Sequence, residues 1–226
     1  DDTGDDDTGD DDTGDDDTGD DDTGDDDTGD DDTGPADDTI WDIRQGGVAE
    51  DAVVGLDDVI LTTPVSVAPN GFWIQEPNSI YDPEDSGIYV YVPDDLEAAA
   101  VAAAVGVGSR VNITGRYQEY YDLSEVVVEL ASDVQALGSA SVPPTNVQAC
   151  AVGTGGPAQE AYESVLVRVT NVTVTDDNPD APNDYGEFEV DACLRVDDFF
   201  HPFEPTVGQN IAAIVGVMNY AYGQAK

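Results

Sequence analysis

The sequence predicts an all-β protein with one short helix. It reads as two tandem small barrels behind an extended Asp-rich repeat, the second barrel degenerate and incomplete. Three observations predict this. Residues 1–34 hold nothing a core can use; β-branched and aromatic runs between turn signals dominate from Ile40 onward; and the order of those runs recurs in the second half.

Residues 1–34 read as one DDTG followed by six copies of DDDTG. They hold 20 of the 51 acidic residues of a 226-residue chain whose net charge is −45. A five-residue period is neither helical nor the alternation of a strand. Like charges extend such a segment, and its line density of carboxylates condenses cations. Carboxylate runs are hard oxygen donors suited to Ca²⁺, although the spacing matches no familiar calcium loop. The recurrent Thr3, Thr8, Thr13, Thr18, Thr23, Thr28 and Thr33 resemble an array of O-glycosylation acceptors. A solvated, disordered spacer is the competing reading.

The body begins at residue 38. Leu56–Ala68 reads as a long strand, closed by the turn signal Pro69-Asn70-Gly71. Gly71–Glu76 and Ser86–Val92 follow as strands, flanking an acidic loop. Asp94–Ala104 (DDLEAAAVAAA) is the one convincing helix, with aspartates to cap its start and alanines of high helical propensity. Ser109–Tyr121 and Leu123–Ala131 complete the set. Three strands, a helix and two strands is the order of an OB-like barrel, placed at residues 38–133. Residues 134–146, around Gly138–Pro144 (GSASVPP), read as a linker.

Residues 147–226 repeat the pattern less completely. Ser164–Thr175 answers the first long strand, Tyr185–Val190 the second and Cys193–Val196 the third. Asp197–Pro205 (DDFFHPFEP) stands where the helix was. Val207–Gly223 then lies over Val107–Leu123 through a shared V-G-x-x-[VI] frame with a second glycine beyond it, where a barrel strand must bend. A final strand is expected after Lys226, so the second barrel is expected to present an open edge.

Ile40–Gly46 (I-x-x-I-x-Q-G), Gly71–Pro77 (GFWIQEP), Ser86–Tyr91 (SGIYVY) and Val107–Gly115 (VGSRVNITG) together resemble the OB-like accessory domains of secreted bacterial nucleases and related surface proteins. The resemblance covers residues 38–131 well and 147–226 weakly. It implies fold and secretion; the catalytic domain that accompanies such modules is absent from these residues.

The chemistry points the same way. His201, the only histidine, has no nucleophile motif beside it, and no phosphate loop or zinc signature occurs, so the chain reads as non-enzymatic. Beyond the leader the charge is still −25, which opposes nucleic acid and anionic membranes as partners. Phe72, Trp73, Tyr89, Tyr91, Tyr117, Tyr120 and Tyr121 therefore read as packing residues rather than base-stacking platforms. Two acidic loops, Asp82, Glu84, Asp85 and Asp176, Asp177, Asp180, are candidate Ca²⁺ ligands and are expected to lie in equivalent positions. The competing reading is a solvated loop. Two N-x-T patterns, at Asn112 and Asn171, fall inside strands and read as chance. Cys150 and Cys193 are either a disulfide or two buried thiols. No apolar run is long enough for a membrane helix. The expected protein is extracellular or surface-exposed after signal removal, a structural subunit of a fibre. Its expected partners are copies of itself, divalent cations and glycans. A ligand-binding accessory module is the alternative.

Overall fold

The computed structural model describes residues 36–67, 70–77 and 83–226. The described residues belong to one compact unit. The seven leader threonines and Asp82 lie outside the described residues.

The first half contains β1 (Ala36–Asp38), α1 (Ile40–Arg44), β2 (Val53–Leu61), β3 (Ser66–Val67), β4 (Asn70–Gln75), β5 (Gly87–Tyr91), α2 (Asp95–Ala104), β6 (Ser109–Tyr120), β7 (Leu123–Val127) and β8 (Val134–Ser139). β2 pairs with β4, β4 with β5, β5 with β7, β7 with β6, and β6 returns to β2. Five strands thus run in a closed circuit, with the β5–β7 pairing parallel. Ile74, Ile88, Val90, Val111, Val126 and Leu56 point inward to its core. The α2 start behaves as its sequence dictates: the Asp94 carboxylate accepts hydrogen bonds from the Leu96 and Glu97 N–H groups at 2.8 and 3.1 Å.

β4, β5 and β7 are buried almost throughout rather than alternately. Their inner face meets the core, and their outer face (Trp73, Tyr89, Leu123) packs with Val217 from the second half. A strand covered on both sides loses the alternation that a one-sided sheet shows.

The second half contains β9 (Thr145–Asn146), α3 (Ala149–Val152), β10 (Leu166–Asp176), β11 (Glu187–Val190), β12 (Leu194–Asp197), β13 (Asn210–Val217), β14 (Tyr220–Ala221) and β15 (Gln224–Ala225). Its main sheet runs β12-β11-β10-β13, with β9 beside β10. Val167, Val169, Val172, Val174, Phe188 and Val190 make its core.

The internal repeat extends to backbone detail. In β2 the buried residues Val54 and Leu56 are followed by Val59 and Leu61, and in β10 Val167 and Val169 by Val172 and Val174. Each strand breaks alternation around one residue of positive φ, Asp58 at 55° and Asn171 at 55°. Asp and Asn tolerate that left-handed conformation better than other non-glycine residues. The Gly108 N–H donates to Leu61 O at 2.8 Å, and the Gly208 N–H to Val174 O at 2.9 Å. At the other end of these pairs, Tyr117 N–H donates to Ala52 O and Met218 N–H to Val165 O. The first spacing between the halves, from Gly108 to Gly208, is one residue shorter than the second, from Tyr117 to Met218. β13 therefore carries one extra residue, and Gly216 takes the place of Gly115.

Three expectations are corrected. Residues 134–139 are not linker; they form β8, paired antiparallel with β6. The two halves, expected as successive domains across a linker, belong to one compact unit. The two acidic loops are not equivalent: one joins β4 to β5, while the other joins β10 to β11, the counterparts of β2 and β4. Two short helices, α1 and α3, join the expected α2. The expected strands otherwise fall on observed ones with shifted ends.

Candidate functional site: an open sheet edge above a charged seam

Two features outside the cores gather chemistry. The first is the seam where the halves meet. The Thr39 hydroxyl and the Asp42 carboxylate cap α1 reciprocally, and Ile40 and Ile43 anchor it in the core. That places Arg44, at its end, under the second half. Its guanidinium donates to Ser124 Oγ at 2.8 Å, Glu160 O at 2.7 Å, Glu160 Oε1 at 2.9 Å and the Glu163 carboxylate. The Arg44 and Glu163 side chains are 3% and 4% exposed, so water contributes little to either. Burial pushes the Glu163 carboxyl up to about 7, against the opposing pull of Arg44. Gln75 and Asp85 add neutral links: Leu166 N–H donates to Gln75 Oε1 at 3.0 Å, and Asp85 N–H to Ala161 O at 2.7 Å. At Gly87 any Cβ would strike the Ser164 backbone, so glycine is required for this close approach.

Glu76 lies nearby. Its Oε1 accepts the Ile40 N–H at 2.7 Å, while its buried Oε2 has no hydrogen-bond partner. Burial raises this carboxyl to about 7. A folded pKa above the unfolded value near 4.5 means the fold binds the proton more tightly. Its contribution is fully present below about pH 4.5 and is lost as pH rises through about 7. Glu163 acts in the same direction. Glu76→Gln keeps an oxygen for Ile40 and removes the ionisation. We expect it to raise stability at pH 8 by about 1–3 kcal/mol relative to the parent and to flatten the pH 5 to pH 8 slope, read by urea unfolding at each pH.

The second feature is a groove in the second half. Among the described residues β12 pairs only with β11 and β13 only with β10, so the circuit that closes in the first half stays open here. A cavity of ≈ 640 Å³ lies along the gap, lined by Val169, Phe188, Leu194, Ile211 and Ile214, with Trp73 of the first half as a wall. Phe199, Phe200, Phe203, Val215 and Tyr222 are exposed large apolar residues around it. Phe200 meets Trp73 edge-on with ring centroids 6.1 Å apart, and Phe203 lies 5.8 Å from Phe188. These phenylalanines sit on the loop that replaces the helix, as the sequence led us to expect. The loop is held by aspartates: Asp197 Oδ1 accepts from Phe199 N–H at 3.0 Å and Asp198 Oδ2 from Phe203 N–H at 3.1 Å.

At the polar rim two cations are shared among three carboxylates. Arg195 pairs with Asp180 at 2.8 Å and Glu187 at 3.1 Å; Lys226 pairs with Glu187 and, at 2.9 Å, with Asp197. Burial alone would lower the Lys226 pKa, but the hydrogen bonds it donates to Glu187 and Asp197 outweigh it and raise the value.

The sequence-derived site residues fare unevenly. Cys150 and Cys193 form a disulfide, with Cα atoms 5.0 Å apart, joining α3 to the start of β12. Asp85 faces Arg44 and Gln45, and Asp180 faces Arg195. Asp176 caps its own turn at Asn178 N–H, and Glu84, Asp176 and Asp177 are exposed. Among the described residues no three His, Cys, Asp or Glu groups converge where they could hold a metal ion. Phe72, Trp73, Tyr89 and Tyr117 are buried, in keeping with packing roles, while Tyr120 and Tyr121 are exposed. No described helix is long and apolar enough to cross a membrane. No local pattern singles out Arg44, Glu163 or Glu76, whose roles depend on partners far away along the chain. No family model, curated protein or solved structure matches the chain.

Proposed function

We propose that this chain is a non-enzymatic extracellular structural protein, a subunit of a surface fibre or filament made of OB-like barrels. The observation that carries this reading is the second sheet, where two strand edges and an apolar groove are uncovered among the described residues. Unpaired edges of this kind template association with further polypeptide. The disulfide is compatible with an oxidising compartment. The Asp-rich leader serves as the cation-binding and O-glycan-bearing segment, with Ca²⁺ bridging carboxylates of neighbouring subunits and so relieving their mutual repulsion. The resemblance to accessory domains of secreted nucleases favours a second reading, a ligand-binding module of a larger secreted protein. Sedimentation and electron microscopy of the purified chain with Ca²⁺ and with chelator separate the two. We expect assemblies that grow with Ca²⁺, whereas a stable monomer in both conditions overturns the fibre.

A further inference from the structure

We propose that Asn171 is an N-glycosylation site, taking an oligosaccharide from an isoprenoid-phosphate-linked donor, whereas Asn112 stays bare. This rests on the extracellular reading above and goes beyond its leader glycans.

Both residues open an N-x-T pattern, Asn112-Ile113-Thr114 and Asn171-Val172-Thr173, and the fold treats the two differently. In the first half the β2–β6 register shifts between Leu56 and Val59, which pair with Ile113 and Val111, so Asp57 and Asp58 stand opposite Asn112 alone. Asn112 is half-buried there, and its Oδ1 accepts the Asp58 N–H at 2.9 Å. Its carboxamide is thus held against the β2 backbone, fastening the left-handed residue in place.

The second half lacks that lock. β10 and β13 keep one register on both sides of the irregularity, Thr170 with Ala213 and Val172 with Ile211. Thr170 and Asn171 therefore face two residues, Ala212 and Ala213, where Asn112 stands in the first half. Alanine offers neither an acceptor nor bulk. Asn171, Ala212 and Ala213 are all exposed, and the Asn171 carboxamide makes no hydrogen bond among the described residues. The φ of 55° at Asn171 breaks the strand's alternation and leaves Thr170 and Asn171 both outside, between buried Val169 and Val172. The amide is open to solvent beside two methyl groups, a setting that accepts a bulky, hydrated substituent. Thr173 completes the pattern near the surface, its hydroxyl 3.0 Å from Asn210 Oδ1.

The chemistry is a simple transfer by a membrane-bound glycosyltransferase. Asn171 Nδ2 forms a bond to C1 of the donor sugar, the C1–O bond to the lipid phosphate breaks, and the displaced amide proton leaves with that phosphate. β13 lies well downstream of β10, so the pattern is read in extended form before the two strands pair.

The test is site-resolved glycopeptide mass spectrometry of the whole chain recovered from its native cells, with variants produced in the same cells. We expect the Asn171 peptide to carry the added mass of a whole number of sugar residues and the Asn112 peptide to carry none. Asn171→Asp keeps a residue that tolerates positive φ, as Asp58 does in the first half, and should abolish that mass. Thr173→Ala should abolish it too, while Thr173→Ser retains it. An unmodified Asn171 overturns the proposal, as does sugar on Asn112 or added mass confined to the leader threonines. Cell fractionation separates this from the reading it rests on. A bare Asn171 on protein recovered outside the cell sinks the site alone, whereas protein retained inside the cell sinks both.

Discussion

Arg44→Met is expected to destabilise the fold at pH 8 by about 3–5 kcal/mol, the cost of leaving a buried charge without its partner. The methionine fills similar volume, so the loss reflects Glu163 rather than a cavity. Glu163 already sits near pKa 7 with the guanidinium against it, and without it the value must rise further. The penalty exists only while the carboxyl is ionised. Most of the lost stability should therefore return at pH 5, where the carboxyl is protonated. Glu163→Gln on the Arg44→Met background should restore it at pH 8. Urea unfolding of the parent, the single and the double variants at both pH values measures this. A deficit that is the same at pH 5 and pH 8 would assign the effect to packing.

Replacing both Cys150 and Cys193 with serine should cost about 2–4 kcal/mol, because the bond removes conformations from the unfolded chain. It links residues 43 apart in sequence, and the segment between them contains all of β10 and β11. The half that it ties lacks a closed circuit of strands and gains least from its own sheet. Thermal melts with and without reductant should show the parent losing stability on reduction and the double-serine variant unaffected. A parent insensitive to complete reduction would show that the sheet contacts alone hold this half.

How much of this was legible depended on how local the cause was. Asp94 caps α2 through atoms three residues away, so its role could be read directly. The strand runs Gly71–Glu76 and Ser86–Val92 carried their own signal, and the order of elements exposed the duplication. The alternation-breaking pairs Asp57-Asp58 and Thr170-Asn171 were on the page too, as polar interruptions in apolar strands. β8 carries little strand signal because VQALGS shows no clear alternation, is exposed beyond Val134 and pairs with β6 alone. α1 was missed because five residues show barely one helical turn. The acidic loops were equated because both are rich in aspartate, although composition does not reveal which two strands a loop connects. The seam was out of reach: Arg44 and Glu163 are 119 residues apart, and no local pattern marks them as partners.

Arg44 also bears on how the protein meets concentrated electrolyte. Five of the six cationic side chains, Arg44, Arg110, Arg116, Arg195 and Lys226, are committed to ion pairs. The pair at the seam is shielded from solvent and hence from mobile ions, whereas the surplus carboxylates repel one another across the solvated surface. Added salt screens that repulsion and leaves the shielded attraction nearly intact. Electrolyte therefore weakens the surface repulsion more than it weakens the attraction at the seam.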